Sequence, residues 1–356
     1  MRSGSTPGEL AFQKLLAHYQ ITDFQKQIVD YGRGDLSTFA DKLMTAKDIE
    51  TAHKDGFYIG HYQTGLGEFL SYTPVPRMLK HYYPQAKVFV CGHRFAKAMF
   101  RHDPCVDAVV DFPDREPFGT YREFGFGTHA QKRLRPFGIF ATAPVAPEIK
   151  IGDATRARWQ EWRSQLPLQG RKLVFIQSSG RTNPNLFSAW TWLRFLWPLR
   201  DQYYFVQIGN LRDQLVWANK ILLKLWDMEE MAAALAQADA FMGPNSGVMH
   251  LAAAVGVPAV ILHNEALASE MIFPILGDNA KLPVKINGHL FHVYPFHHHL
   301  MVSRSWDGTT VLAGNLDCSL ATPKSVSEKL AMACQGENPR WTELKDQFAQ
   351  DPYCIY

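Results

Sequence analysis

Four short stretches hold residues whose types and spacing could do chemistry. In "GPNSGVMHLAAAVG" (243–256), Asn245, Ser246 and Gly247 stand where a helix should begin. The first N–H groups of a helix have no intrahelical partners and its dipole favours negative charge, so such a start can hold an anion. His250 follows Ser246 by one helical turn, on the same face. The same residues would serve equally well as an ordinary capped helix in an α/β core. "QSSGRTN" (177–183) and "GNLRD" (209–213) contribute Ser178, Arg181 and Gly209. Hydroxyls, backbone N–H groups and one guanidinium are the donors that a pyrophosphate requires. The plainer reading of Arg181 is a solvated surface arginine. In "TGLGEFL" (64–70), Gly65 and Gly67 form a glycine loop and Glu68 follows it directly. A carboxylate there could take a proton from an attacking hydroxyl, or simply suit the positive end of a helix.

These stretches are positioned by an alternation of strand and helix. "GFYIGHY", "AKVFVCG" and "VDAVVDF" read as strands, separated by helices over "FLSYTPVPRMLKHYYP" (delayed or kinked at Pro74 and Pro76) and "HRFAKAMFRH". A second alternation begins at "RKLVFIQSSG", with "YYFVQIG", "AFMG" and "PAVIL" as further strands. "AWTWLRFLWPLRD", "LRDQLVWANKILL" and "DMEEMAAALAQA" read as helices, the last with Asp227 and Glu230 in a capping-box pattern. Gly256 is placed to end the helix from Ser246 in the left-handed conformation. Strands and helices alternating at this spacing imply parallel, doubly wound sheets, whose ligands bind outside the carboxyl ends of the strands. The fold class expected is therefore α/β, with two Rossmann-like α/β/α domains facing across a crevice. The divisions are a helical extension over 1–50, a first domain over 51–165, a second over 166–335 and a tail over 336–356. "GDATRARWQEWRSQLP" reads as the connecting helix, and 113–150 as a long loop or lid.

Composition narrows the function. The 356 residues are 46% hydrophobic and 20% charged, with a net charge of +3. That suits a globular protein with sizeable cores and gives no case for a nucleic-acid partner. The five cysteines are scattered without a CxxC pair, which suits a reducing compartment. With no signal-peptide pattern or membrane-length apolar run, a soluble, cytoplasmic protein is expected. "SAWTWLRFLWPL" reads first as a core helix and second as a peripheral membrane contact.

The motifs in order resemble glycosyltransferase family 9, the heptosyltransferases. "GLGEFLSYTPVPRMLKHYYPQAKVFV" is similar to that family's N-terminal signature. "HDPCVDAVVDFP" and "THAQKRLRPFGI" resemble the elements that follow. "NSGVMHLAAAVGVPAVILHN" resembles its Asp-Ser-Gly-x-x-His-Leu-Ala-Ala-Ala-x-Gly-x-Pro motif. The resemblance spans about residues 56–275. It implies a GT-B fold and an inverting, metal-independent transfer of a sugar (heptose in the family) from a nucleotide-diphosphate sugar, an ADP-sugar above all. The acceptor implied is a glycan or lipid-linked glycan of the lipopolysaccharide type, and no cofactor is implied. By position, Ser246, Gly247 and His250 match residues that hold the donor diphosphate. Trp226 matches an apolar residue near the adenine, Glu229 an acidic one near the nucleotide, and Glu68 the catalytic base. Three departures stand out: Asn245 and Glu68 each replace an aspartate, and the lysine before Trp-Pro has no equivalent, which leaves Arg181 as the main cation.

The run "YPFHHHL" (294–300) invites a metal reading, but three consecutive strand residues alternate faces and cannot all reach one ion. A packing or sugar-contact role is expected instead. Two other readings of the whole chain stand beside transfer: a sugar-nucleotide epimerase of the same fold, and a non-catalytic nucleotide- or sugar-binding protein. A dehydrogenase is disfavoured, because "GLGEFL" lacks the third glycine of the dinucleotide fingerprint.

Overall fold

The computed structural model describes residues 50–51, 54–60, 66–70, 72–91, 96–110, 147–180, 187–224, 226–244, 246–263, 297–301 and 319–336. The expected extension over 1–50, apart from its last residue, the lid over 113–150 up to residue 146, and the tail from 337 lie outside them.

The first unit is a parallel three-stranded sheet in the order β1 (Phe57–Gly60), β2 (Val88–Cys91), β3 (Ala108–Val110). Two helices separate β1 from β2: α1 (Leu66–Leu70) and α2 (Val75–Tyr82). The turn over Tyr72–Pro74 divides them, and Pro76 occupies the first turn of α2, where its missing N–H costs nothing. The delay expected at these prolines is thus a break. Gly67 and Glu68 stand inside α1 rather than ahead of a helix, which corrects the glycine-loop reading for those two positions. α3 (Ala96–Phe100) joins β2 to β3.

The second unit contains α4 (Asp153–Ser164) and a parallel seven-stranded sheet. Its strands are β4 (Lys172–Ile176), β5 (Tyr203–Gly209), β6 (Lys220–Leu223), β7 (Ala240–Pro244), β8 (Ala259–His263), β9 (His297–Met301) and β10 (Ser319–Leu320). Their order, β10-β9-β8-β7-β4-β5-β6, runs outward from β4 in both directions, as in the Rossmann arrangement. α5 (Ala189–Leu196) and a 3₁₀ turn (Trp197–Leu199) follow β4, α6 (Met228–Leu235) precedes β7, α7 (Gly247–Ala254) links β7 to β8, and α8 (Pro323–Gln335) follows β10.

Both faces of this sheet are buried, which explains why its strands read as near-continuous apolar runs. Leu173 and Phe175 of β4, Val206 of β5 and Ile261 of β8 face one core, while Val174, Ile176, Phe205 and Leu262 face the other. The first core is continuous with the first unit, taking in Phe69, Met78 and Phe100 beside Phe241, Met249 and Leu251. α4 lies in the 51–165 portion, yet it packs on the second unit. Trp159 meets Trp226 at a centroid distance of 5.7 Å, and Trp162 meets Phe175 at 5.9 Å.

One expected helix is absent. "LRDQLVWANKILL" is a loop followed by strand β6, because its polar groups are used elsewhere: Asn219 Oδ1 accepts from Phe205 N (2.8 Å), and Gln207 takes up Val216 N (3.0 Å). At α6, Asp227 caps as expected, accepting from Glu229 N at 3.0 Å. The box is not closed, since Glu230 turns to Trp159 Nε1 (2.7 Å) and Arg158. Gly256, at φ +73°, does end α7 in the left-handed region.

Candidate functional site at the strand ends

The strand order reverses between β4 and β7, and in sheets of this kind ligands bind beyond the carboxyl ends at such a reversal. Gln177 and Ser178 follow β4, and Ser246 and Gly247 follow β7. Across that gap Ser246 Oγ donates to Gln177 Oε1 at 2.6 Å. The hydroxyl is thereby turned away from its own helix: Ser246 is the N-cap of α7, with φ −156°, but makes no side-chain cap. The Gln177 side chain also hydrogen-bonds Asp213, so the ends of β5, β4 and β7 are joined by one polar chain. Burial pushes the Asp213 carboxyl up, against opposing hydrogen bonds from Asn210 N (3.1 Å), Asn210 Nδ2 (2.7 Å) and Gln177. Gln177 and Asp213 were not picked out by sequence reasoning. Both lie in stretches singled out for their serines, glycines and arginine, and only the strand order brings them together.

The site residues expected from the sequence fall into three groups. Ser246, Gly247 and His250 share the start of α7. Gly247 packs against Leu66 of α1: a Cβ there would lie 2.6 Å from Leu66 Cβ. Gly67 meets the ring of His250 in the same way, so α1 and α7 cross at van der Waals contact. His250 is 6% exposed, and burial pushes its imidazole down to about 3, so it is neutral at physiological pH.

The second group is used inside the fold. Ser178 is wholly buried and donates to Gln214 O at 2.5 Å, while Gln207 Nε2 donates to Ser178 Oγ at 3.1 Å. It ties the 210–216 loop to the end of β4. Gly209 has φ +145°, and its carbonyl accepts from Trp226 Nε1 at 2.9 Å. A side chain at Gly209 would collide with the Asp213 carboxylate. Trp226 is packed against Trp159 and lies 4.2 Å below the Lys224 ammonium.

Glu229 is also committed. It is 2% exposed and joins the second unit to the first. Its carboxylate accepts from Arg101 Nη1 at 2.6 Å, pairs with His102 Nε2 at 3.1 Å, and accepts from Gly152 N at 3.1 Å. Burial pushes this carboxyl up. The Gly152 N–H, the Thr155 hydroxyl, His102 and Arg101 outweigh that and hold it below its ordinary value.

The third group cannot be placed by its side chains. Glu68 is the third residue of α1, directly beyond the α1–α7 contact, and its side chain lies outside the description. Gly65, Arg181 and Asn245 fall outside the described residues. β9 carries His297–His299 as a strand, and His298 is buried. Among the described residues, no group of three or more His, Cys, Asp or Glu could hold a metal ion, and no helix is long and apolar enough to cross a membrane.

Two Rossmann-like parallel units, with polar groups gathered at the strand ends of the second, make a GT-B-type fold. Residues 207–280 match the model of glycosyltransferase family 9 (heptosyltransferase). That segment includes Gly209, Trp226, Glu229, Asn245, Ser246, Gly247 and His250, but not Ser178, Arg181 or Glu68. A glycosyl transferase family 9 structure from Veillonella parvula superposes with a TM-score of 0.53 at 14% identity, covering 79% of this chain and 97% of that one. The E. coli ADP-heptose lps heptosyltransferase II superposes with a TM-score of 0.54 at 12% identity, covering 78% and 98%. No curated protein sequence matches the chain. Residues 207–280 thus resemble family 9, and the chain shares the fold of these two solved structures.

Proposed function

We propose that this protein is an inverting, metal-independent glycosyltransferase that uses an ADP-sugar, a heptose donor being the first choice, and a glycan or lipid-linked glycan acceptor. The observation that carries the reading is the start of α7 at the strand-order reversal. Because Ser246 Oγ is spent on Gln177, the first-turn N–H groups carry no side-chain cap and face the crevice edge. The donor diphosphate sits there, with Arg181 supplying positive charge and neutral His250 a hydrogen-bonding ring beneath. Glu68 removes the proton of the acceptor hydroxyl. The freed oxygen attacks the anomeric carbon from the face opposite the diphosphate, the carbon–oxygen bond to the diphosphate breaks, and nucleoside diphosphate leaves.

In this reading the first domain presents the acceptor and the second the donor. The boundary between them is moved forward to 147–152, because α4 packs on α6. The test is a screen of nucleotide sugars with nucleoside diphosphate release as the readout. Release that depends on an acceptor is expected. No turnover together with no binding of any nucleotide overturns the reading. A second reading, a nucleotide-binding protein without transferase activity, is favoured by the contact of Leu66 with Gly247, which partly covers the proposed phosphate position. Binding without turnover on any acceptor selects it.

A further inference from the structure

α5 is apolar on two sides. Trp192, Phe195 and Leu196 are buried in the core beneath the sheet. Trp190, Leu193 and Trp197 recur three, four and seven positions apart on the opposite side, and there they face outward. Trp190 is 67% exposed and Trp197 48%. Between them lies a groove of about 600 Å³, completed by Pro198 and Pro323. Large exposed apolar side chains gathered along one side of a helix mark a contact surface, so the outer side of α5 implies contact with something.

What it contacts follows from the surroundings. Arg194 lines the groove, and the Arg200 guanidinium stacks over the Trp197 ring at 4.5 Å. The loop over 210–216 adjoins the start of α5, with the Gln214 amide on Phe187 O (2.9 Å) and Ala189 N (2.8 Å). That loop adds exposed Leu211 and Leu215 with exposed Arg212 between them. Arg200 is paired with Asp201 and Lys324 with Glu328, whereas Arg194 and Arg212 have no carboxylate partner among the described residues. The face therefore offers tryptophan, leucine and uncompensated arginine. A sugar would need convergent polar groups, and the groove lining supplies one arginine. Tryptophan beside arginine matches a headgroup region instead, where the ring spans the polar boundary and the cation meets lipid phosphate.

We propose that the outer side of α5, with the 210–216 loop, is a docking surface for an anionic phospholipid membrane. The loop leaves the carboxyl end of β5, so this surface continues to the edge where the crevice opens. The inference deepens the proposed function, since it rests on a lipid-linked acceptor and would hold the crevice edge against the layer that carries it.

The experiment is flotation of the full chain with phosphatidylcholine vesicles, with and without phosphatidylglycerol. Tryptophan emission is followed in the same samples. Binding to the anionic vesicles, with a blue shift, is expected, and it should weaken as salt is raised. Arg194→Gln and Arg212→Gln should each weaken partition by about fivefold. Trp190→Ser with Trp197→Ser should abolish it while leaving nucleoside diphosphate binding unchanged, because both rings are exposed. No binding to anionic vesicles, or binding indifferent to these substitutions, overturns the proposal. So does self-association of the wild-type chain that the tryptophan substitutions remove, which would make a second copy the occupant. Loss of nucleotide binding by the wild-type chain would count against the proposed function and leave the vesicle measurement standing.

Discussion

Gly67 of the first unit lies against the imidazole of His250 in the second, so closely that a Cβ on Gly67 would fall 2.7 Å from Nε2. The missing side chain lets α1 and α7 touch, and the contact shuts His250 away from water. This glycine, with Gly247 against Leu66, lets the two helices approach closely and helps to bury the histidine.

His250 should leave a signature in stability against pH. Its folded value, about 3, lies below the ordinary 6.5, so in the interval between them the unfolded chain binds a proton that the folded chain does not. The stabilisation is complete above about pH 6.5 and is lost progressively as the pH falls toward 3. His250→Gln should flatten this part of the profile in urea unfolding between pH 7 and 4. Equal slopes for variant and wild type would mean that His250 is charged in the folded state.

Gly247 is predicted to be sensitive through its neighbour. Gly247→Ala pushes a methyl group against Leu66 and should cost about 1–3 kcal/mol, the usual price of overpacking. Leu66→Ala in the same chain should recover most of that loss in thermal unfolding. If nucleoside diphosphate binding stays weak in the double variant, the backbone at Gly247 is itself needed for phosphate; recovery of both assigns the defect to the helix contact alone.

Glu229→Gln should loosen the junction between the units. The glutamate is buried but Arg101 is half-exposed, so the expected loss is about 1–3 kcal/mol, below the range for a fully buried pair. The sign with pH is definite. A carboxyl held below its ordinary value of 4.5 stabilises above that value, and the effect is lost as the pH falls through the lower, folded one. The difference in Tm between wild type and variant should accordingly shrink on acidification from pH 6.

Glu68 carries the proposed chemistry. Glu68→Gln should lower turnover about 10²–10⁴-fold, the worth of a positioned base, and leave donor affinity nearly unchanged. Glu68→Asp restores the residue common in the resembling family. Should that variant be impaired, the acceptor pocket has adapted to the longer side chain; should it match wild type, the substitution is neutral. Wild-type turnover in Glu68→Gln at saturating acceptor would return Glu68 to the role of a helix charge.

The strands of the second sheet were legible because parallel strands buried on both faces must be continuous apolar runs, as "KLVFI" and "YYFVQIG" are. The 211–223 stretch misled because Leu211, Leu215 and Leu222 are spaced like a helix face. Its conformation is set instead by Ser178 and Ser179, distant in sequence, and by Gln207 at the end of the preceding strand. The α7 start could be read locally, since a cap and its small residues are neighbours. The Gln177–Ser246 bond could not, being a product of strand order. Glu229 shows a different limit. A motif identifies the position of a carboxylate, but the arginine and histidine that claim it lie more than a hundred residues earlier.

The crossing between the units has a mechanical consequence. Glu148 is fastened to the first unit, its N–H donating to Thr73 Oγ1 (2.8 Å) and its carboxylate accepting from Arg77 (3.0 Å). Gly152 is fastened to the second through Glu229. Only Ile149, Lys150 and Ile151 lie between these anchors, so along this path the chain passes from one unit to the other in three residues. Any turn of one unit against the other would be taken up there, and it would disturb the Leu66–Gly247 and Gly67–His250 contacts together.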